Sequence, residues 1–373
     1  MYLFRHFWYE IFLLGHILLA IIFLIGCWYH VLLLQSGHME WLYAAIALWS
    51  FDRLIRLARI ILLNISWSGG RLARTGKFEI VQGTNAIKTH INVGYNFTFR
   101  PGQYIYVYFP RFNFWESHPF TIAEHELVDG HQPRITLLFR AHGGVTRKLL
   151  KHLAEGPKEM VCLLEGPYGH FRPVDKYDNV LLLAGGVGIT AVFPYLRHLA
   201  TVGVNRVRFI WIVRDENSIT WFAKLLSSLL ASENVDLEIH ITKSESPRGD
   251  SIHQVPEEKH ISLVRDRSSL DLGVGSATIG AAKLANNGTV TDKEVEIPGD
   301  KIKVSSQLAS RVFVGSKPCL TELVKGQVGL GGGSLAVLAC GPGTFVDDIR
   351  RAVGENVTLA RGVVDYFEES FTW

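Results

Sequence analysis

Cysteine is nearly missing from this chain, with four residues among 373, at positions 27, 162, 319 and 340. They form no CxxC pair and no zinc-ligand spacing, so neither a disulfide framework nor an iron–sulfur cluster is indicated. The bulk of the chain is expected to face a reducing compartment. Charge of one sign is lacking too. Lys and Arg total 38 against 35 for Asp and Glu, a formal +3, which is too small to argue for nucleic acid as a partner. No catalytic triad and no carboxylate pair stands out, so no residue is marked as a strong general base. Apolar sequence is plentiful: 48 % of residues are hydrophobic, the excess lies at the N-terminus, and the length gives room for two or three domains.

Phe7 to Leu34 is almost uninterrupted apolar sequence, broken by Glu10, His16 and His30. As a helix it spans about 42 Å, enough to cross a hydrocarbon core of about 30 Å with tilt. A signal peptide is the competing reading, but the run is too long and lacks a small-residue cleavage site. A second segment is apolar from Trp41 to Trp49 and continues with Arg53, Arg56 and Arg59 at every third position. That pattern suits a helix leaving the membrane on its Lys/Arg-rich cytoplasmic side. His16 and His30 stand fourteen residues apart, on nearly one helix face and about 21 Å apart along the axis. The spacing suits two stacked ligand sites; two interfacial histidines on an anchor helix fit it equally.

From about Gly70 to Arg172 short β-rich runs alternate with turn signals: Lys77–Gln82, Thr89–Arg100, Gln103–Phe109, Arg134–Arg140 and Met160–Leu164. This spacing predicts a small antiparallel barrel. In Gln103–Phe109, Ile105, Val107 and Phe109 interleave with Tyr104, Tyr106 and Tyr108. After this run come His118, Pro119, Phe120 and Thr121, a proline-fixed backbone followed by a hydroxyl that offers hydrogen bonds to a flat ring. Gly143, Gly144, Val145, Thr146 and Arg147 precede a predicted helix. Glycines there free backbone N–H groups for a phosphate, while an ordinary helix cap is the plain alternative.

Asn179–Ala184 reads as a buried parallel strand running into Gly185, Gly186, Val187, Gly188, Ile189 and Thr190, then a helix over Ala191–Ala200. Strand, glycine turn and helix N-terminus together predict a dinucleotide phosphate site, although the spacing differs from GxGxxG. Val207–Val213 starts a second βα unit and ends at Arg214, placed to meet a ribose 2′-phosphate or, equally, to pair with Asp215. Val235–Ile241 is a third strand. Lys243 to about Ser310 is rich in Ser, Gly, Asp, Lys and Asn and is expected to be a mobile insertion. Order is expected to resume near Arg311, with a buried strand at Ser334–Cys340 leading into Gly341 and Pro342. Cys340 is a ligand-facing candidate by its place at a strand's end; an inert core thiol is the other reading.

His-Pro-Phe-Thr, Gly-Gly-Val-Thr, Gly-Pro-Tyr-Gly, Gly-Gly-Val-Gly-Ile-Thr, Cys-Gly-Pro and a terminal Ser-Phe-Thr-Trp, in that order behind two apolar segments, resemble the ferric reductase / NADPH oxidase superfamily. The look is most like its fungal ferric-chelate reductases, and the resemblance covers nearly the whole chain. It implies membrane helices over 1–66, a ferredoxin-reductase-like FAD barrel over 70–173 and an α/β NADPH domain over 177–373. It also implies haem b in the membrane, ferric chelates or other metal ions as acceptors, and a plasma-membrane protein with its flavin module cytoplasmic. Carried over by position, His118, Pro119, Phe120 and Thr121 line the isoalloxazine, and Gly143, Gly144, Val145 and Thr146 hold the FAD pyrophosphate. Gly185, Gly186, Gly188, Ile189 and Thr190 hold the NADPH phosphates, and Arg214 faces the 2′-phosphate. Cys340, Gly341 and Pro342 face the nicotinamide, and Phe371 the flavin. Thr121, Cys340 and Phe371 are the residues expected nearest the chemistry.

His16 and His30 match the family's histidine pair for haem iron. The family has about six core helices, and the helix bearing the opposite pair is not found here. The expectation is therefore a truncated chain, or one that holds no bis-histidine haem by itself. Two other activities share much of the cofactor chain: a superoxide-forming NADPH oxidase, and a haem-free NADPH–flavin diaphorase.

Overall fold

The computed structural model describes residues 9–33, 39–65, 74–94, 97–128, 132–202, 204, 206–243, 294–296, 303–329 and 333–369. Contacts divide the chain into two units. The first comprises Met1–Val81, Asn85–Arg172 and Phe193–Tyr195; the second comprises Gln82–Thr84, Pro173–Val192 and Leu196–Trp373. The two N-terminal helices and the barrel fall in the first unit.

Helix α1 (Tyr9–Leu33) and helix α2 (Met39–Asn64) begin the first unit. In α1, Ile22, Phe23 and Leu33 are among many exposed apolar side chains, as expected of a surface made for lipid. Among the described residues only Gly15–Leu33 is long and apolar enough to cross a membrane. This narrows the expectation of two spans. The α2 segment is helical as predicted, but Asp52, Arg53, Arg56 and Arg59 interrupt its apolar run. The end of α2 is bound to the barrel instead. Asn64 Nδ2 donates to Leu164 O at 2.7 Å, and Asn64 Oδ1 accepts from Leu164 N at 2.9 Å.

The barrel is closed, in the order β1 (Arg74–Ile80), β2 (Ala86–Asn92), β5 (Gln132–Arg140), β4 (Asn113–Val128), β3 (Tyr104–Phe109), β6 (Lys158–Tyr168). The alternation in β3 behaves as its sequence requires. Ile105, Val107 and Phe109 turn into a core with Phe78, Ile91, Ile122 and Leu137, while the three tyrosines stay half-buried. Strand β4 was not foreseen. It carries Pro119, which removes a ladder donor, and its first half is paired on one side only: β3 runs opposite through Thr121, and β5 joins from Ile122 onward. A strand with one paired side tolerates a proline that a central strand would reject. Helix α3 (Gly144–His152) closes one end by burying Val145 and Leu149.

The second unit holds a six-stranded parallel sheet. Its elements are β7 (Asn179–Gly185), α4 (Ile189–Val202), β8 (Arg206–Val213), α5 (Ala223–Leu229) and β9 (Val235–Ile241), followed by a small pair, β10 (Glu294–Glu296) and β11 (Lys303–Ser305). Then come α6 (Ser306–Ala309), β12 (Val312–Val314), α7 (Leu320–Gly329), β13 (Leu335–Cys340), α8 (Gly343–Asn356) and β14 (Val364–Glu369). The order is β12-β9-β8-β7-β13-β14. The chain winds outward from β7 and then returns to place β13 on β7's other side, which makes a switch point between these two strands. Most of the expected insertion lies outside the described residues. Its C-terminal limit is earlier than Ser310, because Leu308 on α6 is fully buried and Ser305 Oγ accepts from Leu308 N at 3.3 Å.

Candidate flavin and dinucleotide sites

His118 to Thr121 lie on β4, opposite Val107 to Tyr104 of β3. Thr121 shares a face with Tyr104 and is 8 % exposed. Phe120 turns toward the barrel interior and stacks on Phe139 with ring centroids 4.0 Å apart. The His118 Nε2 atom is 3.1 Å from Glu116 Oε1, and Glu116 Oε2 accepts from Asn113 Nδ2 at 2.9 Å. Glu116 was not singled out from sequence; only its place two residues before His118 hints at it.

Gly143 and Gly144 stand exposed at the N-terminus of α3. Gly144 has φ +49°, a left-handed conformation that favours glycine. A Cβ at Gly143 would meet no atom within 4 Å, and one at Gly144 would meet only Glu116 Oε1 at 4.0 Å. The turn therefore offers free N–H groups and open space, which fits a pyrophosphate. Thr146 Oγ1 donates to Gly143 O at 2.8 Å and steadies the turn. Val145 faces the core, so only its backbone is available to a ligand.

In the sheet, Gly188 is pressed against β13. A Cβ there would stand 2.3 Å from Cys340 O. Gly185 and Gly341 likewise approach so closely that their Cβ positions would crowd the Phe345 ring, at 3.1 and 2.6 Å. The two turns predicted to bind one dinucleotide thus come together at the switch point. Gly186 has φ +54° with open space beside it, and Trp211 Nε1 donates to Gly186 O at 2.9 Å. That tryptophan gave no sign of its role in the sequence beyond its place in an apolar strand. Ile189 and Thr190 are buried, and Thr190 Oγ1 donates to Val187 O at 3.0 Å, so their side chains shape the turn rather than face a ligand.

Arg214 is exposed, two residues past Ile212, which pairs with Gly185. Asp215 is engaged elsewhere: its Oδ1 accepts from Ser218 N at 3.1 Å and Ser218 Oγ at 2.9 Å. Cys340 is fully buried. Burial, with Glu369 and Glu368 alongside, pushes its thiol far above the ordinary range, so it stays protonated. Its carbonyl, not its sulfur, makes the close approach at the turn. Phe371 lies outside the described residues. His16 and His30 are exposed on α1, and α2 contains no histidine. Among the described residues no cluster of three metal-holding side chains occurs.

A second cluster ties α2 to the barrel. Glu165 on β6 is 1 % exposed and accepts from Arg56 Nε (2.6 Å), Arg56 Nη2 (3.0 Å), Tyr108 (2.6 Å) and Tyr168 (2.8 Å). Burial alone would raise its pKa. The hydrogen bonds from Arg56, Tyr108 and Tyr168 outweigh that and hold it below the usual carboxylate range.

Residues 74–172 match a family described as an FAD-binding domain, and residues 177–354 match the ferric reductase NAD-binding domain. Ferric reductase transmembrane component 3 of Saccharomyces cerevisiae is 30 % identical over 380 residues, covering 100 % of this chain and 48 % of that protein. Ferric/cupric reductase transmembrane component 1 of Candida albicans is 28 % identical over 379 residues, covering 100 % and 45 %. The chain thus spans about half the length of the curated relatives it matches. A ferredoxin NADP+ reductase from Neisseria gonorrhoeae, solved with FAD and NADP, aligns at a TM-score of 0.46 and 12 % identity over 78 % of this chain and 97 % of that one. From its two matched domains, in this order, and its full-length likeness to the fungal reductases, the chain belongs to the ferric reductase family, with an FAD-binding barrel followed by a ferric reductase NAD-binding domain.

Proposed function

We propose that this chain is the flavin- and NADPH-binding part of a membrane ferric-chelate reductase. Electrons would pass from NADPH to FAD, then through haem to ferric iron outside the cytoplasm of the plasma membrane. The observation that carries the reading is the meeting of the Gly185–Gly188 turn with Cys340–Pro342 at the switch point of the sheet, in a chain whose other unit presents an open glycine turn beside His118. The bound flavin would accept a hydride and release electrons singly. The chain's own residues bind and orient: Gly143 to Thr146 offer backbone N–H groups to the FAD pyrophosphate, and Thr121 offers its hydroxyl to the ring. Arg214 would set the preference for NADPH by pairing with the 2′-phosphate. Protonated Cys340 takes no part as a base, which agrees with a transfer that needs ring contact rather than strong base catalysis.

His16 and His30 would each give one axial imidazole, with the facing pair supplied from another helix. The test is NADPH-driven reduction in membranes carrying the chain together with a helix that supplies the facing histidines, with a ferric chelate and oxygen offered separately. Faster reduction of the ferric chelate supports the reading. Superoxide formation that outruns chelate reduction points to an oxidase instead, and NADPH oxidation with soluble dyes alone points to a diaphorase.

A further inference from the structure

An anion of the chain's own lies beside the α3 N-terminus. The Glu116 carboxylate lies there. Its Oε1 stands 3.1 Å from His118 Nε2 and 4.0 Å from where a Gly144 Cβ would be, and its Oε2 accepts from Asn113 Nδ2. The N-terminus of a helix attracts negative charge, and an imidazole beside it strengthens that attraction when protonated. One carboxylate from the chain thus lies beside two of the groups that the flavin reading assigns to the FAD site. Glu116 is about one-quarter exposed, so it has room to swing into water.

We propose that Glu116 is a built-in competitor for the FAD pyrophosphate, lying against His118 and beside the α3 N-terminus, from where the cofactor must displace it. This rests on the flavin-site reading above. A doubly charged pyrophosphate entering the same space meets the carboxylate as a like charge. The chain therefore either expels Glu116 or binds FAD more weakly. Asn113 sets how firmly the carboxylate is held, because its amide donates to the oxygen that His118 does not take. The outcome is a site whose affinity for FAD is lower than its glycine turn alone would give.

The experiment titrates FAD into the full chain in detergent after its flavin has been stripped, following flavin fluorescence. Glu116→Gln and Glu116→Ala should both bind FAD about tenfold more tightly than the parent at low salt, with the gain shrinking as salt is raised. Two variants are used so that a folding defect in one, seen by thermal melting, leaves the other to decide. Gly143→Val is the control. Its backbone is extended and a Cβ there meets nothing within 4 Å, so the variant folds but fills the pyrophosphate space. If Gly143→Val loses FAD while both Glu116 variants bind it no tighter than the parent, the competitor proposal is overturned and the site reading stands. If Gly143→Val binds FAD as the parent does, the site reading falls and the proposal falls with it.

Discussion

Gly188 lies so close to Cys340 that a single methyl at its Cα would sit 2.3 Å from the Cys340 carbonyl oxygen. The crowding atom is backbone at the C-terminal end of β13, so it cannot swing away. This contact, not any side-chain chemistry, brings the two predicted nucleotide turns to one place.

Gly188→Ala should therefore cost about 1–3 kcal/mol of stability and raise the Michaelis constant for NADPH. Gly326→Ala, a glycine within α7 with nothing within 4 Å of its Cβ, should be neutral or slightly stabilising. Thermal melting with NADPH kinetics checks both. A Gly188→Ala chain with parental melting and kinetics would show that β7 and β13 are not so tightly apposed.

Arg214→Ala should raise the Michaelis constant for NADPH several-fold and leave that for NADH nearly alone, because only NADPH carries the 2′-phosphate. An equal loss for both cofactors would mean a general defect, and Arg214 would no longer be the selecting residue.

Thr121→Ala should lower the flavin retained through gel filtration, or slow flavin reduction, without loss of the barrel's melting transition. Thr121 as a whole is only 8 % exposed, so the lost volume costs some stability but leaves the barrel folded. Unchanged flavin content and unchanged reduction would remove Thr121 from the site.

These residues differ in how plainly the sequence announced them. The tyrosine–aliphatic alternation of β3 was legible because a strand's period of two is visible in six residues. The glycine turns were legible because glycine has few other reasons to sit between a buried strand and a helix. The long strand β4 was not, since Pro119 argues against a strand unless one side is known to be unpaired. Glu116, Trp211 and Glu165 were invisible for another reason. Trp211 and Glu165 act through partners on other elements, and no local pattern reports a contact between Arg56 and Glu165 across 109 residues. Glu116 meets His118 and Asn113 on its own strand, but alternation alone does not mark such a contact.

That pair makes its own prediction about acid. The folded-state pKa of Glu165 lies below its unfolded value, so its contribution is fully present above the unfolded carboxylate pKa of about 4.3. It is lost as pH falls through the folded value. Glu165→Gln should melt at lower temperature than the parent at neutral pH, with the two curves converging as pH drops below about 4. Arg56→Ala should cost about 2–3 kcal/mol near neutrality, less than a fully buried pair because the Arg56 side chain is 39 % exposed. A constant gap between parent and Glu165→Gln from neutral to acid pH would show that the charge is not what the cluster stabilises.

The central claim, that this chain carries a flavin reduced by NADPH, is tested most directly by anaerobic stopped-flow mixing of the FAD-loaded chain with NADPH or NADH. The flavin absorbance should bleach in one rapid phase with NADPH and markedly more slowly with NADH. A chain that retains FAD but is not bleached by NADPH, or is bleached equally by both nucleotides, would contradict the account.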